Sequence, residues 1–197
     1  MLTDAGRDDA DEPGGAGPIP IAAVGGARSS VIQPLLAEFA ARRSREGMRV
    51  VGVVEEPCPD GGDCALFLRD LATSLRIAIS QNLGPGSTAC NLDAGGLAAA
   101  CGLVQTAIAA GADLVVLSKF GKVEADRHGL TEAFQAAIAA DLPIVTAVAP
   151  SLAEAWTAFA GPLSVPVAAE AEALEAWWSR QARAKAAARS GEPAHQR

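Results

Sequence analysis

Four side chains with chemical potential close one apolar run: Ser118, Lys119, Lys122 and Glu124, in LVVLSKFGKVE from Leu114 to Glu124. The chain has only three lysines among 16 basic residues, and two of them stand here. An ammonium beside a hydroxyl and a glycine suits a small anion, and a nearby carboxylate could act as a base or help hold magnesium. The competing reading is a surface ion pair between Lys119 and Glu124, worth no more than about 1 kcal/mol.

Three further groups could contribute. Gly25, Gly26, Ser29 and Ser30 lie in GGARSS, between an apolar stretch and an amphipathic one. A glycine-rich turn opening a helix can cradle phosphate with main-chain N–H groups. This one lacks the Gly-Lys-Ser/Thr ending of a hydrolytic phosphate loop, and on spacing alone a tight connection is the weightier reading. The loop SQNLGPGSTACNLD, from Ser80 to Asp93, offers Ser80, Gln81, Gly84, Gly86 and Ser87 as parts of an anion nest. Cys58, Cys64 and Cys90 fall in loops, and Cys64 and Cys90 are the candidate metal ligands. Their spacing matches no zinc signature, so buried or idle thiols are the default.

The elements that must position these groups read as alternating strands and helices. Ile19–Val24, Met48–Val54, Leu114–Leu117 and Pro143–Val148 are short apolar runs, the mark of strands covered on both faces of a parallel sheet. In such sheets ligands sit beyond the carboxyl ends of the strands, where Ser118 to Glu124 and Gly25 to Ser30 fall. After Gly25–Ser30 a helix carries Val31, Leu35 and Phe39 with Ile32, Leu36 and Ala40; Pro34 confines its start to about Ser30. Leu66 to Ile79 changes to strict alternation around a short Asp70–Ser74 link, which predicts an inserted antiparallel hairpin. Asp93 caps a helix with the stripe Leu97, Cys101, Val104 and Ile108, where Cys101 is core packing. Leu130, Phe134 and Ile138 mark another helix, and Ser151 with Glu154 forms a capping box for the helix bearing Trp156 and Phe159. Leu163–Val167 adds an edge strand. The alanine-rich stretch Ala169–Arg189 is a last helix, in which Trp177 and Trp178 either anchor it or support self-association.

A chain of 197 residues that is 50% hydrophobic buries one core of ordinary domain size. The expected organisation is an acidic, disordered tail over 1–18, one α/β domain over 19–168, and a C-terminal helix with a frayed end over 169–197. A net charge of −7 disfavours nucleic acid or anionic membrane as partner. No apolar run approaches a membrane span, and the chain reads as cytoplasmic with its cysteines as thiols.

Leu71 to Ile79, the loop SQNLGPGSTACNLD, then GADLVVLSKFGKVEA and PIVTAV together resemble an uncharacterised bacterial family of proteins of unknown function. That family is similar to the small P-loop nucleoside triphosphatases first described from thermophiles, and the resemblance covers roughly Ile19 to Phe159. It implies a three-layer α/β fold with a mostly parallel sheet and the inserted hairpin. It also implies an association with molybdate transport and molybdenum enzymes. The triphosphatases carry an Asp-Glu pair followed by Gly-Lys-x-Glu. Laid on this chain, the pair falls on Ser118 and Lys119, while Gly121, Lys122 and Glu124 match. An acidic pair there holds Mg²⁺ and prepares water for attack on the γ-phosphate. A hydroxyl and an ammonium do neither.

The leading expectation is therefore a degenerate P-loop-like protein that binds a nucleotide or small anion without hydrolysing it, with Lys119 or Lys122 as counter-ion. The alternative is a protein handling molybdate or tungstate through the same lysines and the Ser80–Ser87 loop. The third is an active triphosphatase with Glu124 as base and Mg²⁺ on Asp93 or Asp113.

Overall fold

A computed structural model describes residues 20–57, 66–81 and 91–190. The chain opens with strand β1 (Ile21–Gly25), helix α1 (Ser29–Arg45) and strand β2 (Val50–Pro57). The hairpin β3 (Leu66–Asp70) and β4 (Arg76–Ala78) follows, then the two-residue pair β5 (Ser80–Gln81) and β6 (Asn91–Leu92). Next come α2 (Ala94–Ala109), β7 (Leu114–Phe120), a single turn α3 (Lys122–Ala125), α4 (Thr131–Ala139) and β8 (Ile144–Val148). The chain ends through α5 (Ala153–Ala160), β9 (Ser164–Ala168) and α6 (Ala171–Ser190).

Seven strands form one sheet in the order β4-β3-β2-β7-β8-β1-β9. The five from β2 to β9 run parallel, and β3 and β4 extend the sheet antiparallel at the β2 side. This is the expected mostly parallel sheet with its inserted hairpin. Leu114 to Leu117 are buried on both faces because each face carries helices. One core lies under α2, α4 and α5 and includes Ile21, Val53, Leu117, Phe134 and Trp156; the other lies under α1 and α6 and includes Val24, Leu36, Val116 and Trp177. Three layers result, with β1 sandwiched between β8 and β9.

Several local expectations need correction. Val31 is exposed and Leu35 only partly buried; Ile32, Leu36, Phe39 and Ala40 form the buried apolar stripe of α1, with Gln33 and Arg43 buried beside them. Pro34 sits in the second turn of α1 rather than the first, so its missing N–H leaves the Ser30 carbonyl without the usual intrahelical donor. The Ser151/Glu154 capping box does not form, because Pro150 starts a 3₁₀ turn that carries Ser151 within it and leaves Leu152 at the start of α5. The loop after β4 is not wholly irregular: Ser80 pairs with Leu92 and Gln81 with Asn91. Leu174 and Trp177 are buried beneath α6, so this helix is anchored on α1, and Arg43 of α1 pairs with Glu175.

Candidate functional site

The carboxyl ends of all five parallel strands share one edge, and Gly25–Ser30 and Ser118–Glu124 follow strands β1 and β7 there. β1 gives way to α1 on one face, while its neighbour β8 gives way to α5 on the other. Between β1 and β8 the winding therefore reverses, which opens a crevice at the strand ends. Gly25 and Gly26 line that crevice with Val148, Ala149 and Pro150. Gly26 has φ +88°, a conformation that favours glycine, and it turns the chain from β1 into α1. The N-cap of α1, Arg28, provides no side-chain cap, and the first turn holds no acidic residue. Ser29 and Ser30 are exposed and line a separate cavity with Gln33, Glu55, Glu56 and Arg69.

At the end of β7 the register against β8 shifts between Leu117 and Lys119, leaving Ser118 as the extra residue of a bulge. Leu117 and Phe120, three positions apart, consequently share one core, which unbroken alternation forbids. β2 and β7 part just beyond the Val53/Leu117 pair. The gap is filled by a side chain the sequence reading did not single out. Gln33 of α1 is buried; its Nε2 donates to the Ser118 carbonyl at 2.7 Å, and its Oε1 accepts from the Glu55 N–H at 2.8 Å. One amide side chain thus replaces the ladder bonds the diverging strands no longer make. A glutamine on an otherwise apolar helix stripe is the signal that marked it.

Lys119 is not paired with Glu124. Its Nζ lies 2.6 Å from Oε2 of Glu55, a carboxylate that is itself only 12% exposed in its side chain. Glu56 next to it is held by Arg69 and, at 3.3 Å, by Arg76. Lys119 lines a small cavity of about 210 Å³ with Ser118, Gly121, Lys122 and Leu130; none of the described cavities has both Lys119 and the Gly25–Ser30 turn in its wall. Lys119 reaches the Ser29/Ser30 cavity only through Glu55, which lines it. Lys122 is exposed.

Glu124 is buried and both its oxygens are engaged. Oε2 accepts from Gly121 N–H at 2.9 Å and Oε1 from Leu130 N–H at 3.0 Å. Gly129 has φ +60°, and a Cβ there would stand 2.3 Å from Glu124 Oε1, so glycine is what gives the carboxylate room. Glu124 fastens both ends of the α3 segment. Each oxygen holds one main-chain N–H, and the carboxylate also borders the small cavity that Lys119 lines.

Ser80 is used structurally, its Oγ accepting from Leu66 N–H at 2.8 Å. Asp93 caps α2 by accepting from Gly95 N–H at 2.9 Å. Asp113 accepts from Arg49 N–H at 2.8 Å, just ahead of β7, at the opposite end of the strand from Lys119. Gly84, Gly86, Ser87, Cys64 and Cys90 lie outside the described residues, and Gln81 is described only as part of β5. Among the described residues no cluster of three or more His, Cys, Asp or Glu is arranged for a metal. Among the described residues, the positions at the end of β7 do not themselves suit magnesium: Ser118 and Lys119 bring a hydroxyl and an ammonium, and the Glu55 carboxylate is paired with that ammonium.

Cys101 is buried on the α2 stripe, and burial pushes its thiol above the ordinary range, with a main-chain hydrogen bond from Ala133 pulling the other way. Iodoacetamide at pH 8 is therefore expected to leave Cys101 unmodified in the native protein and to modify it in urea, read by peptide mass spectrometry. Rapid native labelling would show that α2 is not docked as described.

The layer order, the winding reversal at β1 and the glycine turn into α1 define a P-loop-NTPase-like α/β protein. A solved structure described as the solution structure of a human cancer-related nucleoside triphosphatase matches with a TM-score of 0.54 at 13% identity, covering 89% of this chain and 97% of that one. The chain belongs to the family described as "Protein of unknown function (DUF2478)", which matches residues 21–177. A curated relative, "Molybdenum import ATP-binding protein ModC 2" of Bradyrhizobium diazoefficiens, is 42% identical over 149 residues. That match takes in 75% of this chain but spans only 17% of the relative's length. No helix among the described residues is long and apolar enough to cross a membrane.

Proposed function

We propose that this protein binds a nucleotide or a small phosphate-like anion at the edge formed by the β1–α1 turn and the end of β7, and does not hydrolyse it. The observation that carries the reading is the Lys119–Glu55 ion pair, at 2.6 Å, where the related triphosphatases place acids for a metal. An internal cation held there removes the seat for Mg²⁺, and its charge is offset by Glu55 until an incoming anion competes for the ammonium. The uncapped N-terminus of a 17-residue helix adds main-chain N–H groups and the positive end of its dipole. Glu124, buried and holding two main-chain amides, is committed to fastening the α3 segment.

Calorimetry with ATP or GTP, with magnesium and then with EDTA, tests this. Binding is expected to be the same in both, with no magnesium-dependent phosphate release. Freeing the ammonium in Glu55→Gln is expected to tighten binding about fivefold, equivalent to about 1 kcal/mol for a half-exposed charge, and Lys119→Ala to weaken it. Magnesium-dependent phosphate release that vanishes in Glu124→Gln would overturn the reading, as would indifference of binding to both variants.

A second reading, handling of a small oxyanion, is favoured by the relative named for molybdenum import. Molybdate and tungstate form the other arm of the titration. Their binding without any nucleotide heat would select it.

A further inference from the structure

A cavity of about 340 Å³ lies between α2 and the segment that joins α3 to α4, and it shares no lining residue with the cavities at the turn into α1. Its volume falls at the lower end of the roughly 300–1,000 Å³ of small-molecule sites. It stays open because the row of α2 that borders it is Ala94, Ala98 and Gly102, four residues apart, whose side chains are too small to close the groove. Leu97 and Cys101, both buried, make an apolar floor. Leu97 and Val123 also stand between this cavity and the small one that Lys119 lines, so the two are separate.

The opposite wall is polar. Arg127 has φ +63°, a left-handed conformation that is strained for a residue bearing a Cβ. Three hydrogen bonds hold the turn in that form: Arg127 N–H donates to the Glu124 carbonyl at 3.0 Å, His128 N–H to the Val123 carbonyl at 2.9 Å, and the Thr131 hydroxyl to the His128 carbonyl at 2.6 Å. The turn so fixed carries Arg127 and His128 on the cavity wall, and Glu132, in the first turn of α4, joins them. Arg127 and Glu132 have opposite charges and border one cavity, yet neither is in an ion pair with the other or with any other described residue. Charges of opposite sign that do not satisfy each other leave two contacts for a ligand that carries both signs.

We propose that this cavity binds a small zwitterion, a carboxylate and an ammonium group on one apolar body, as in the amino-acid class. The carboxylate meets the Arg127 guanidinium, whose fork suits two oxygens, with His128 beside it. The ammonium meets Glu132, and the apolar body rests on Leu97 in the space left over Ala98 and Gly102. The proposal stands on its own side of the molecule and does not depend on the anion-binding reading.

The test takes the charges apart. L-leucine and ε-aminocaproate, zwitterions with short and long charge separation, are titrated against the full chain and followed through the ring signals of His128. His195 carries the only other imidazole, so His195→Gln assigns them. At least one zwitterion is expected to bind at millimolar concentration. Isocaproate and isoamylamine, the leucine body with one charge each, are expected to bind about fivefold more weakly than that zwitterion, the loss set by one exposed charge contact. Arg127→Asn keeps a residue that tolerates positive φ; it should weaken the zwitterion and the carboxylate and leave the amine unchanged. Glu132→Gln should weaken the zwitterion and the amine and leave the carboxylate unchanged. A variant that merely loosened α4 would weaken all of them alike. Gly102→Phe fills the cavity from a position where an added Cβ meets nothing within 4 Å, and is expected to weaken every ligand at least about tenfold. Ala98→Phe, one helical turn away, repeats the measurement should that variant fold poorly. No response of His128 to either zwitterion overturns the proposal. So does equal binding of a zwitterion and a singly charged analogue, or indifference of the zwitterion to both charge variants.

Discussion

Glu124→Ala is expected to lower the unfolding free energy by about 2 to 4 kcal/mol, read from urea denaturation midpoints. The carboxylate is buried and accepts two main-chain N–H groups, from Gly121 and from Leu130, which lie on either side of α3. Removing it strands both donors. Leu130 is 1% exposed, so water cannot easily take over at that amide. Glu124→Gln keeps one acceptor oxygen but turns an amide NH₂ toward the other donor, so it should cost about half as much. A catalytic base behaves the opposite way: the glutamine variant, near in shape, would keep its stability and lose its reaction. Unchanged midpoints in both variants would remove the clamp role and return Glu124 to the list of candidate bases. The same pair of variants therefore reports on stability and on mechanism at once.

What was legible in the sequence follows physical range. Leu114–Leu117 announced a two-sided strand because four successive apolar residues can be buried together only where both sheet faces are covered. The hairpin was legible through the alternation of Leu66, Leu68, Ile77 and Ile79 around a short link; Asp70 then closes that link by accepting from the N–H and hydroxyl of Thr73. These are local patterns, set by the period of the backbone. The ion pair at the site joins residues 64 positions apart, and no local period connects Glu55 to Lys119. Lys119 was therefore placed at the right edge and given the wrong neighbour. The bulge at Ser118 was hidden because one extra residue leaves no trace in composition. Gln33 drew no notice in the sequence, yet it is the amide that joins α1 to both β2 and β7. Ser151 and Glu154 have the spacing of a capping box, and the 3₁₀ turn begun by Pro150 overrides it.

Gly52→Ala carries the largest expected effect: a loss above about 4 kcal/mol, enough to consume much of the stability of an ordinary domain. Gly52 lies inside β2 with φ +123°, and a Cβ there would stand 1.9 Å from the Val116 carbonyl oxygen and 2.7 Å from its carbon. The obstacle is the main chain of β7 at the centre of the sheet, which cannot step aside as a side chain could. Gly52 also stands at a change of partners. Its carbonyl accepts from Leu71 N–H at 2.9 Å, and from Val53 onward β2 runs antiparallel to β3. The close approach it permits is what brings β2 into register with β7, Val50 opposite Leu114 through Val53 opposite Leu117. That register in turn delivers Glu55 and Lys119 to one edge. Gly47→Ala serves as control: at φ +88° with nothing within 4 Å of the added carbon, it suffers backbone strain alone, about 1 to 2 kcal/mol. Circular dichroism melts should show Gly47→Ala folded and Gly52→Ala largely unfolded or insoluble. If Gly52→Ala melts as high as Gly47→Ala, β2 and β7 are not in the contact described, and the Lys119–Glu55 ion pair loses its scaffold.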